Sequence, residues 1–198
     1  MMPDTRAMKR TVSAGIKRLP EALEAMTADV TAATRHLLKA GKTVVGLGGE
    51  HSVTIGAVRA AAEIHPRLSV LQIDAHADTR ESYGGTDHSH ACVMARAREW
   101  CSVVHVGIRA VDADEAACLD PERVVWAHQV NGPVPDADWM ERVLRNLGES
   151  VYVSIDLDGF DPAYVPATGT PEPGGLDWYQ VTALLEAVAR SRRVVAFD

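Results

Sequence analysis

The run Leu68-Ser69-Val70-Leu71-Gln72-Ile73-Asp74-Ala75-His76-Ala77-Asp78 decides how the chain is read. Its first six residues have the short, mainly apolar character of a buried strand, and charge arrives only where that strand ends. The pattern recurs on either side. Thr43-Val44-Val45-Gly46-Leu47 runs into Gly48-Gly49-Glu50-His51-Ser52, and Val151-Tyr152-Val153-Ser154-Ile155 runs into Asp156-Leu157-Asp158. Residues 102–106, 123–126 and 194–197 read as three further strands.

Helical signals fill the intervals. Pro20-Glu21 opens a helix over 20–40, with Leu23, Met26, Val30, Ala33, Leu37 and Leu38 at helical spacing and Gly41 as its stop. Residues 53–64, 91–99, 112–119, 136–147 and 177–190 read as helices too. Residues 161–175 carry Pro162, Pro166, Pro171 and Pro173 with three glycines and read as a loop. Strand–helix alternation with apolar strands predicts a three-layer α/β/α fold around a mostly parallel sheet. We find no repeat, linker or low-complexity tract, so residues 1–198 are expected to form one domain whose motifs lie in 43–198.

The 198 residues suffice to bury roughly 70% of the surface of the unfolded chain. Hydrophobic residues make up 46% and charged ones 24%, an ordinary globular balance. The net charge of −7 disfavours a nucleic-acid partner, which requires clustered cations, and favours a small cationic substrate. No stretch approaches the 18 apolar residues or so of a membrane span. Cys92, Cys101 and Cys118 form no CxxC pair and are expected as buried, reduced thiols in a cytoplasmic protein.

In open α/β sheets ligands bind beyond the carboxyl ends of the strands. Three strand ends deliver His51, Asp74, His76, Asp78, Asp156 and Asp158 to that edge. If the segment stays extended, Asp74, His76 and Asp78 share one face, and Asp156 and Asp158 repeat the spacing. Four carboxylates so close repel one another, and two divalent cations would balance them. An oxygen-rich set with some imidazole suits Mn²⁺. Asp161 before Pro162 reads as a helix cap, and His36, His65 and His128 as surface residues. Gly46-x-Gly48 does not continue into a dinucleotide fingerprint, because His51 stands where the third glycine belongs.

Gly48-Gly49-Glu50-His51-Ser52, Asp74-Ala75-His76-Ala77-Asp78, Ser89-His90-Ala91-Cys92, the run from Ser154 to Pro162 and Ala167-Thr168-Gly169-Thr170-Pro171-Glu172-Pro173-Gly174-Gly175-Leu176 together resemble the ureohydrolases, the arginase and agmatinase enzymes. The resemblance spans about residues 43–198. It implies an arginase-like fold holding two Mn²⁺ ions, one on His51, Asp74, Asp78 and Asp156, the other on Asp74, His76, Asp156 and Asp158. It implies hydrolysis of a guanidino substrate to urea and an amine, with agmatine favoured over arginine or guanidinobutyrate. His90 and Asp78 are the implied catalytic residues, His90 by assisting substrate binding or proton transfer. Trimers or hexamers are the implied assemblies. Arg109-Ala110-Val111-Asp112 with Glu115 is loosely similar to an arginase stretch that meets the substrate's amino-acid end. The same residues also read as a helix start capped by Asp112.

Against that family pattern the sequence looks truncated at both ends. An opening strand and a Gly-rich loop have no counterpart in residues 1–11, and a substrate-pairing Glu would fall three residues past Asp198. Weak hydrolysis is therefore expected of these residues, and a non-catalytic metal-binding scaffold or partner of a full-length relative is the alternative. A one-zinc deacetylase on a similar fold is disfavoured, since it would not use Asp78 as a second-site ligand.

Overall fold

A computed structural model describes residues 5–198, with side chains from residue 19 onward. Six strands, β1 (Val44–Val45), β2 (Leu68–Ile73), β3 (Ser102–Ile108), β4 (Val124–Trp126), β5 (Ser150–Ile155) and β6 (Arg193–Phe197), form one sheet in the order β1-β6-β5-β2-β3-β4. Every pairing is parallel. The helices α1 (Thr5–Lys39), α2 (Val53–Ile64), α3 (Val93–Ala97), α4 (Ala113–Cys118), α5 (Ala127–Asn131), α6 (Trp139–Asn146) and α7 (Trp178–Ser191) complete an α/β fold.

Side-chain alternation along the strands builds two cores. Leu71, Ile73, Val104, Val151 and Val153 pack beneath α6 and α7 through Val143, Val181, Leu184 and Val188. Val70, Val103, Tyr152 and Val195 pack on the other face against Leu38, Ile55, Val58 and Met94. Both faces are thus covered, which is why β2 is buried along its whole length. At Gly56 a Cβ would lie 2.5 Å from the Thr27 carbonyl, so glycine sets how closely α2 meets α1.

The strand order fixes the position of the site. From β2 the chain moves outward through β3 and β4, whereas β5 and β6 lie on the other side. The sheet therefore reverses its winding between β2 and β5, and a crevice opens at their carboxyl ends. Asp74 and Asp156 are the first residues past those two strands. They are pinned there as the Asp74 N–H donates to the Val106 carbonyl (3.0 Å) and the Asp156 N–H to the Ile73 carbonyl (2.9 Å).

Several local expectations are corrected. Helix α1 begins at Thr5 and carries Pro20 inside it, although the missing N–H forfeits a helical bond. Residues 1–4 lie outside the described residues. Strand β1 keeps two residues of the expected five, and β3 continues to Ile108 across Gly107, whose φ of 93° suits glycine alone. Helix α6 starts at Trp139, because Asp136 turns its carboxylate to the Asp138 N–H and to Arg142. Helix α5 was not anticipated. Cys92 is buried as expected, but Cys118 is exposed.

One side chain ties the proline-rich segment 161–175 to the turn that precedes it. Arg109 Nη2 donates to the carbonyls of Asp158 (2.6 Å), Glu172 (2.8 Å) and Phe160 (3.2 Å), while Nη1 reaches those of Gly107 (3.0 Å) and Gly159 (3.4 Å). A planar five-donor fork can serve such a set, and a point charge cannot. Arg109→Lys leaves several of these carbonyls without a donor and is expected to cost about 2 kcal/mol, read as a fall of roughly 4–8 °C in Tm. An unchanged melting curve would show that the segment does not depend on the clamp.

His105 on β3 is buried, and burial, aided by the Arg98 charge, lowers its pKa from 6.5 to about 3. Above pH 6.5 it is neutral in both the folded and unfolded chain. As pH falls from 6.5 toward 3 only the unfolded chain takes up its proton, so stability is lost by about 1.4 kcal/mol per pH unit. Denaturant melts between pH 6 and 4 with chelator present isolate this contribution as the difference between wild type and His105→Phe. In His105→Phe the slope should be flatter by up to one proton; identical slopes would contradict a neutral buried imidazole.

Candidate metal centre

The loop after β1, the bend after β2 and the turn after β5 converge on the crevice. His51 Nδ1 lies 2.7 Å from Asp78 Oδ2, 3.4 Å from Asp74 Oδ2 and 3.8 Å from Asp156 Oδ2. His76 Nδ1 lies 3.2 Å from Asp158 Oδ2 and 3.5 Å from Asp74 Oδ1. Two donor groups result, His51–Asp74–Asp156 and Asp74–His76–Asp158, each with ligand atoms within 4.8 Å of one another. Asp74 belongs to both and turns one oxygen toward each.

The six side chains meet as expected, but not through an extended backbone. The chain bends at Ala75, and Asp78 adopts the left-handed region with φ 52°. Its carbonyl then accepts the Met94 and Ala95 N–H groups (2.9 and 3.2 Å) that open α3. Asp158 sits in a 3₁₀ turn, Leu157–Gly159, whose entry the Asp156 carboxylate caps by accepting the Asp158 N–H. Gly159 permits this, because a Cβ there would lie 2.9 Å from the Asp74 nitrogen.

Hydrogen bonds around these residues fix their orientation. Ser154 Oγ gives its one proton to Asp198 Oδ1 (2.7 Å), so it accepts from His51 Nε2 (2.9 Å) and leaves Nδ1 facing the carboxylates. Asp198 is held in turn by Thr54 and by the Tyr152 hydroxyl. Asp158 accepts from the Ala75 N–H and from Thr170 Oγ1.

The electrostatics record crowding of like charge. Burial, reinforced by Asp78 and Asp156, raises the Asp74 pKa to about 7. Burial and the Asp158 charge raise Asp156 as well. Burial works against a charged His51, yet Asp78, Asp74 and Asp156 outweigh it and push its pKa up to about 10. Asp158 and Asp74 do the same to His76. Asp158, although burial opposes it, is drawn down to about 2 by His76, the Ala75 amide and Thr170. So many clustered carboxylate oxygens around two imidazoles would be compensated by a pair of small cations of high charge. The donor set therefore fits two divalent ions.

These groups open into a cavity of about 650 Å³, ample for a small ligand. His90 stands half-exposed on its wall, its Nδ1 3.0 Å from Glu50 Oε1 and its ring edge-on to Tyr83. Glu172 and Thr168 line it too, and the buried Thr168 hydroxyl has no partner among the described residues. Arg109 is not among the lining residues; its guanidinium is spent on backbone carbonyls. Asp112 caps α4 by accepting the Glu115 N–H, as the helix-start reading has it, while Ala110, Val111, Asp112 and Glu115 line the same cavity. Asp161 caps no helix, and accepts instead from the Ala163, Gly174 and Gly175 N–H groups in the loop. Sequence reading missed Glu50 as the partner of His90 and the supporting roles of Gln72, His105 and Ser154. A polar residue breaking an apolar strand was the available signal.

Among the described residues no helix is long and apolar enough to cross a membrane. The arginase family profile matches residues 6–198. An N(1)-aminopropylagmatine ureohydrolase of Thermus thermophilus is 44% identical over 170 residues, 84% of this chain and 56% of that protein. The agmatinase of Pyrococcus horikoshii is 39% identical, covering 77% of this chain and 52% of its own length. The crystal structure of agmatine ureohydrolase of Thermoplasma volcanium superposes with a TM-score of 0.76 at 36% identity, over 89% of this chain and 59% of that one. The chain thus spans somewhat over half the length of the relatives it matches. On the profile match and these identities, the chain belongs to the arginase family.

Proposed function

We propose that this chain carries the metal centre of a binuclear manganese ureohydrolase that cleaves a guanidino compound, agmatine before arginine or guanidinobutyrate, to urea and an amine. The convergence of His51, Asp74, His76, Asp78, Asp156 and Asp158 beside one cavity is the observation that carries this reading. The names of the relatives support the reaction, and those relatives that act on agmatine or its aminopropyl derivative support the substrate. The acidic cavity wall and the net charge of −7 suit a guanidinium cation. We place the reaction in the cytoplasm and read residues 1–198 as one unit of a homo-oligomer.

His51, Asp74, Asp78 and Asp156 would hold one ion, and Asp74, His76, Asp156 and Asp158 the other. Such a pair supplies a water acidified enough to be a nucleophile at neutral pH, next to where a guanidinium carbon would lie. The protein's own part is orientation and proton handling. Ser154 keeps His51 in the tautomer that presents Nδ1. Asp78, whose Oδ2 lies nearest that nitrogen, would share an ion with His51 and keeps its other oxygen able to accept a proton beside the reacting atoms. His90, steadied by Glu50, can pass a proton to the departing amine.

Elemental analysis after loading with Mn²⁺ should give two equivalents per chain. Asp156→Ala should lose most of both, and His51→Ala mainly one; equal metal content in wild type and Asp156→Ala would overturn the assignment. His90→Asn should keep both ions while urea release from agmatine falls about 10²–10⁴-fold. Urea release that is the same with and without Mn²⁺ would sink the proposed reaction.

A further inference from the structure

The oxygens of Asp74 can each serve a separate donor group only if the carboxylate is kept from rotating. Its Oδ1 is held by the backbone N–H of His76 (2.7 Å). Its Oδ2 accepts from the side-chain amide of Gln72 (2.8 Å), a buried residue next to the carboxyl end of β2. The same Gln72 nitrogen donates to the His76 carbonyl (3.1 Å). A carbonyl only accepts, so the amide must point Nε2 toward the site and Oε1 away from it. On the far side Oε1 meets His105 Nδ1, which must therefore carry the hydrogen.

Sheet register makes this arrangement lateral. Gln72 pairs with His105 of β3 on one side and with Ser154 of β5 on the other. Ser154 orients His51, so one row of three polar side chains crosses the buried sheet and ends on both donor groups. Three buried polar groups in a row are costly unless all are satisfied, and here each is.

We infer that Gln72, clamped by His105, is a positioning residue that locks the Asp74 carboxylate so that one oxygen faces each metal site. This rests on the metal reading above. Partners of this kind around ligands are worth about 10–100-fold in metal affinity. Because Asp74 is common to both groups, losing the clamp should weaken both sites together, unlike His51→Ala, which weakens mainly one.

The test is Mn²⁺ titration calorimetry on wild type, Gln72→Met, His105→Phe and the double variant, with thermal melts of each in chelator. Gln72→Met keeps the side chain's length and apolar stem but removes both amide groups. It should bind both ions about 10–100-fold more weakly. His105→Phe should show a smaller loss, and the double variant should be no worse than Gln72→Met alone, because His105 acts only through Gln72. A residue that merely supports the fold would lower Tm and leave affinity per folded chain unchanged, and that result would overturn the inference. Additive losses in the double variant would overturn it too. If Gln72→Met is not recovered folded, wild-type affinity in His105→Phe decides against it. Absence of binding by wild type would instead refute the metal reading itself.

Discussion

Carboxylates gathered at the crevice between β2 and β5 repel one another, and much of the neighbouring structure serves to hold them against that repulsion. Asp74 is fixed by its own amide on β3, by the His76 N–H and by Gln72. Asp158 is fixed by the Ala75 N–H, Thr170 and the 3₁₀ turn, and Arg109 ties that turn to the proline-rich segment. His51 is fixed through Ser154 and Asp198. The restraints come from several strands and loops at once, so the site needs the parallel sheet in register. A slip of one residue in β2 would move Asp74 to the other face and withdraw it from both donor groups.

The central layer was readable because β2, β3 and β5 are short apolar runs whose ends carry charge. Burial on both faces removes the alternation that would mark an exposed strand, and leaves a pattern that spacing and composition can identify. The six converging residues were readable for the same reason. What escaped was set by geometry that spacing does not encode. The left-handed backbone at Asp78 and the 3₁₀ turn at Asp158 bring side chains together across bends, where an extended run would have placed them differently. Helix α1 passes through Pro20 although the residue is a good opener, since packing against α2 at Gly56 adds tertiary support that local preference does not see.

Supporting residues were the least legible. Gln72, His105 and Ser154 look like polar interruptions of strands, and only the register between β3, β2 and β5 shows that they form a row. Arg109 had a resemblance to a substrate-contacting stretch, but its guanidinium is satisfied by backbone carbonyls and is not free for a ligand. The distinction lies in donor accounting: an arginine with its N–H groups already directed at buried carbonyls has little left for a carboxylate guest.

The backbone at Asp78 has a consequence for how such a site can change over time. A non-glycine residue at φ 52° is tolerated best by Asp and Asn, and here the strained peptide also opens α3 through its carbonyl. Replacement by glycine would relax the backbone, keep the helix start and remove a repelling charge, so loss of this carboxylate is structurally easy. Replacement by a β-branched residue would remove the carboxylate and disturb the helix start as well. Drift at this position is thus channelled: chains that cease to need the carboxylate can shed it without unfolding.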